Sequence, residues 1–153
     1  MKSVRIVSCA LLLSTAATVS AQQAPQCPSL PSGSGLHWEA QAQNDFVLCK
    51  AATEDGRTVL NVMLTLRDPA LALSRALRAE KGSFGGEALY WYHPDMGGRA
   101  LPGLESRRIT TVKLGKDRYA QIWIDAADTG ELATLQELTG TLRPGSVGLA
   151  GGG

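Results

Sequence analysis

The sequence predicts an α+β fold, an antiparallel sheet of about five strands with one or two helices packed on one face. Three observations carry this: paired β-rich runs separated by Gly-containing turns, two-residue alternation in the last of those runs, and a leucine stripe at helical spacing near the C-terminus.

The chain begins with a segment read as an address. Met1 to Arg5 carries two cations, and Ile6 to Val19 is an apolar run broken only by Ser, Thr and one Cys. Val19-Ser20-Ala21 then sets small residues where signal peptidase reads them, predicting cleavage before Gln22. The run is too short and too hydroxyl-rich for a membrane anchor, and Cys9 precedes Leu11-Leu12-Leu13, which argues against lipid attachment. Removing residues 1–21 from 153 leaves 132, enough for one modest core. Lys2 and Arg5 leave with them, so the formal charge moves from +1 to −1, without the basic footprint that nucleic acid requires. A periplasmic or secreted protein with no membrane span after cleavage is expected.

In an oxidising compartment the two remaining cysteines, Cys27 and Cys49, have one possible intramolecular pairing. They lack the Cys-x-x-Cys spacing of a redox pair, so a structural disulfide is expected, pinning the Pro/Ser/Gly-rich leader (22–35) to the strand that carries Cys49. Regular structure is expected to begin near Leu36, in a single domain over 36–144 followed by a Gly-rich, mobile tail over 145–153.

Asp45–Ala52 and Thr58–Arg67 read as strands across Asp55-Gly56, a dipeptide suited to a hairpin turn. In the second, Leu60, Val62, Leu64 and Leu66 share one face and Asn61, Met63, Thr65 and Arg67 the other. Asp68-Pro69 resembles a helix start, and Ala70, Leu73 and Leu77 form an apolar stripe, predicting a helix over 69–81 closed by Gly82. Ser83 to Gly86 reads as a loop and Glu87–His93 as the next strand. The segment between Pro94 and Glu105 is long for a compact domain and therefore a candidate working element. Arg107–Leu114 and Arg118–Ala126 form a second hairpin, in which Ala120, Ile122 and Ile124 face one way and Tyr119, Gln121, Trp123 and Asp125 the other. Asp128 with Glu131 forms a capping box ahead of Leu132, Leu135, Leu138 and Leu142, predicting a helix over 128–142.

No catalytic motif stands out. There is no Gly-x-Ser-x-Gly, and Ser34 and Ser83 read as loop serines. The glycines at 82–86 follow the expected helix and lack the Lys-Ser/Thr of a phosphate loop. No cofactor is expected. His37 with Glu39 and His93 with Asp95 would suit a metal if the two triplets met in space; as isolated strand-end histidines they would not, and no metal site is assigned. More informative is the clustering of Tyr90, Trp91 and Tyr92 on one strand and Tyr119 and Trp123 on another with Arg99, Arg107 and Arg108, residue types enriched at protein-binding hot spots; of these, Tyr90, Tyr92, Tyr119, Trp123 and the three arginines are the expected binding residues. The competing expectation makes Trp91 and Trp123 a second core layer under a helix. The reading preferred from sequence is a non-catalytic protein-binding protein of the envelope or extracellular space, of the inhibitor or immunity type. Its alternatives are a small-ligand or metal carrier that uses the 94–105 loop, and a small hydrolase built on His37 or His93.

Overall fold

The computed structural model describes residues 26–145. The expected signal peptide and most of the expected tail lie outside them. Seven strands, β1 (Leu36–Ala42), β2 (Phe46–Thr53), β3 (Thr58–Thr65), β4 (Arg78–Phe84), β5 (Glu87–Tyr92), β6 (Arg107–Gly115) and β7 (Arg118–Asp125), form one antiparallel sheet in the order β1-β2-β3-β7-β6-β5-β4. Among the described residues one α-helix, α1 (Thr129–Thr141), follows. The α+β class is as expected, but the sheet has seven strands rather than five.

Both additional strands are at sheet edges. β1 occupies the stretch where regular structure was expected to begin. β4 corrects the helix expected over 69–81, which is not formed. Ala70 adopts a left-handed backbone (φ 50°) while its N–H donates to Asp68 Oδ1 at 2.8 Å, so Asp68 closes a tight turn instead of capping a helix. A single 3₁₀ turn at Arg75–Leu77, capped by Ser74, then leads into β4. Pairing with β5 outweighs a leucine spacing that has little helical strength of its own. Gly85 and Gly86 (φ 62° and 89°) make the tight β4–β5 turn, so Ser83 and Phe84 belong to strand rather than loop.

The core lies between one sheet face and α1. Val47, Cys49, Leu60, Val62, Leu64, Ala120, Ile122, Ile124 and Val112 are buried there, with Leu132, Leu135 and Leu142 from the helix side. Trp91 is fully buried in the same layer, where a Cβ on Gly82 would come within 2.5 Å of its Nε1. The missing side chain at 82 makes room for the indole. Asp128 caps α1 by accepting from Glu131 N, and the Glu131 carboxylate accepts from Ala127 N and from both terminal nitrogens of Arg57 (2.6 and 3.0 Å), tying the helix start to the β2–β3 turn. That pairing, first through the Arg57 hydrogen bonds, lowers the Glu131 pKa.

Cys27 and Cys49 form the expected disulfide, with a Cα–Cα distance of 5.7 Å. The leader is held further by Trp38 Nε1, which donates to Pro28 O at 2.6 Å. No helix among the described residues is long and apolar enough to cross a membrane.

Candidate aromatic face and groove

Among the described residues, a helix covers one face of the sheet and not the other. On the other, strand register lines up one residue from each strand: Glu39, Lys50, Asn61, Trp123, Ile109, Tyr92 and Arg78. The next rows add Leu48, Met63, Gln121 and Thr111, then Phe46, Thr65, Tyr119 and Lys113. Alternation alone dictates this, since each buried residue of β6 and β7 is followed by one that points away from α1.

The connection from β3 to β4 must pass the positions of β7, β6 and β5. It crosses this second face, where Leu71, Leu73 and Leu77 enclose a hollow of about 200 Å³ with Tyr92, His93, Pro94 and Ile109. Residues 66–77 are thus an extended strap over part of the aromatic face. Beyond Pro94, which borders both spaces, lies a larger open groove of about 460 Å³ lined by Leu48, Asn61, Trp123, Ile124, Asp125, Arg107 and Arg108.

The residues expected at a binding surface divide accordingly. Tyr90, Tyr92, Tyr119 and Trp123 all occupy the second face; Tyr90 is exposed and the other three half-buried. The Arg78 guanidinium stacks over Tyr90, 4.2 Å from the ring centroid, and Lys113 Nζ lies 5.9 Å from that of Tyr119. Arg107 stands at the groove edge, paired with Asp125 at 2.9 Å. Arg99 is exposed in the 94–105 loop and lines neither hollow. Arg108 is placed differently. Its side chain, 6% exposed, turns to the α1 side, where it pairs with Glu80 at 2.6 and 2.9 Å and donates to the carbonyls of Glu105 and Arg107. Those bonds hold the Glu80 carboxyl at about 2, well below its ordinary 4.5, and Gln136 of α1 donates to the same carboxylate. Arg108 joins sheet to helix and leaves the aromatic face without its donors.

Two other constellations come apart. His37 on β1 and His93 after β5 are separated by four intervening strands, roughly 24 Å at ordinary strand spacing. No group of three or more His, Cys, Asp or Glu able to hold a metal is found among the described residues. His93 Nδ1 lies 3.3 Å from the Arg108 guanidinium, and His37 is exposed on an edge strand. Neither is hydrogen-bonded to a Ser or Cys among the described residues, so neither forms a nucleophile–base pair.

Sequence reasoning missed the strap leucines and the contribution of Ile109 and Leu48. Asn61 and Met63 could have been found, because the alternation in β3 already set them opposite the core residues. Comparison with protein-family models, with curated proteins and with solved structures finds no match to this chain.

Proposed function

We propose that the protein is an exported, non-catalytic binding protein whose second sheet face docks on another protein. The observation that supports this best is the part of the second face that neither α1 nor the strap covers, the open groove where Asn61 pairs with Trp123 and Leu48 lies in the next row. Half-buried aromatics on a rigid sheet lose little side-chain freedom on binding and supply large contact area. Arg78 and Lys113 stand over the outlying tyrosines, so a partner that offers apolar side chains ringed by carboxylates fits the face best. The disulfide agrees with an oxidising periplasmic or extracellular setting.

The test is capture of partners from an envelope extract on the immobilised protein, with the Trp123→Ala protein as control. A protein retained by the wild type and lost from the variant supports the reading; identical retention on both removes the face from consideration.

The groove supports a second reading. A volume of about 460 Å³ with an apolar floor and the Asn61 amide falls within the range of small-molecule sites. A small molecule that leaves the purified protein only on denaturation, identified by native mass spectrometry, favours a carrier over a docking protein.

A further inference from the structure

The two edges of the sheet are built differently. β4 carries Arg78 and Lys81 and a register shift between them, devices that discourage a further strand from pairing. β1 has none of these. Its seven residues, Leu-His-Trp-Glu-Ala-Gln-Ala, include no Lys, Arg or Pro and pair with β2 in unbroken register. The β1–β2 turn fixes which backbone groups point outward. Gln43 N donates to Phe46 O at 2.8 Å, so the residues in phase with Gln43, namely His37, Glu39 and Gln41, bond to β2. The amides and carbonyls of Trp38, Ala40 and Ala42 therefore point away from the sheet, and the Leu36 amide, also outward, donates to Ser34 Oγ. Among the described residues, no strand other than β2 pairs with β1.

We infer that β1 is a docking edge for β1 of a second copy of this chain, joined antiparallel about a two-fold axis at Trp38. Charge complementarity selects the occupant and the register. With the axis at Trp38, the His37 imidazole of each chain faces the Glu39 carboxylate of the other, twice over, in the closely spaced non-hydrogen-bonded positions. The outward amides and carbonyls of Trp38, the Ala40 amide and the Leu36 carbonyl supply the ladder bonds, since the Leu36 amide already donates to Ser34 Oγ. An axis at Glu39 instead sets two carboxylates against each other and is disfavoured. The contact is isologous and closes on itself, so it yields a dimer and not a fibre. Because the axis is perpendicular to the sheet, both Trp123 faces lie on the same side of one continuous sheet, which makes the dimer bivalent toward a partner.

Sedimentation equilibrium of the purified protein over a micromolar to millimolar series tests this. A reversible monomer–dimer equilibrium is expected, and Ala40→Pro, which removes one outward amide and no bond to β2, is expected to weaken it by roughly tenfold or more. A monomer throughout the series, or a dimer unchanged by Ala40→Pro, overturns the inference. Should the proline variant fail to fold, mixtures of variants that each carry one added cysteine beside the Cys27–Cys49 disulfide decide the matter. His37→Cys with Glu39→Cys is expected to give a disulfide-linked heterodimer on mild oxidation, faster than either protein alone. Faster self-linking of Glu39→Cys overturns the register.

Discussion

Trp123 stands directly opposite Asn61 across the β3–β7 pair, with Ile109 opposite it on the other side, so its indole is flanked by one amide and one branched aliphatic side chain on the face opposite α1. Trp91, by contrast, is fully buried under α1. The two tryptophans therefore answer truncation differently. Trp91→Ala is expected to cost about 3–5 kcal/mol of stability. Trp123→Ala is expected to cost clearly less, and urea unfolding of the two variants checks the order.

Gly82 is the complement of Trp91. A Cβ at this position meets the indole at 2.5 Å, and a buried ring has no free end to move aside. Gly82→Ala is expected to destabilise by about 1–3 kcal/mol, although the backbone there is ordinary for a strand. Thermal melting of Gly82→Ala beside Gly145→Ala, whose Cβ meets nothing within 4 Å, separates close packing from the general effect of the substitution.

Much of the sheet was legible in the sequence. Alternation in β3 and β7 assigned their two faces, Asp-Gly marked the first hairpin, and the Asp128–Glu131 box with its leucines located α1. The segment 69–81 misled because Ala70, Leu73 and Leu77 satisfy a helical period while Leu71, Leu73 and Leu77 serve an extended strap just as well, and only sheet pairing decides between them. β1 was not legible as a strand, since four of its seven positions end the strand exposed in succession. Of the expected surface, the aromatic residues could be assigned from period alone. Arg107 and Arg108 are adjacent in a strand and point to opposite faces, so both could not border one patch.

The Arg108–Glu80 pair gives a pH dependence of known sign. The folded-state pKa of Glu80 is lowered from 4.5 to about 2, chiefly by the Arg108 hydrogen bonds. The unfolded chain takes up the proton first, so the stabilisation is present above about pH 4.5 and is lost as pH falls toward 2. The Glu80 side chain is 45% exposed, so solvent screens the pair and the loss is modest. Denaturant titrations from pH 6 to about pH 2 are expected to show a smaller acid-side decline for Glu80→Gln than for the wild type.

The disulfide closes a loop between residues 22 apart in sequence. The chain-entropy argument gives about 3 kcal/mol for a loop of this size. Unfolding with and without reductant is expected to differ by that order, the leader then being held by the Trp38–Pro28 hydrogen bond and by the packing of Pro28 and Leu30 on the core.

The central claim is that the partner meets the face of Trp123 and not the face of α1. A photo-crosslinking amino acid at position 123, compared with one at the exposed α1 position Glu137, tests it most directly in an envelope extract. A protein adduct from position 123 with none from position 137 is the predicted result. Adducts from position 137 alone, or from neither position, would contradict it.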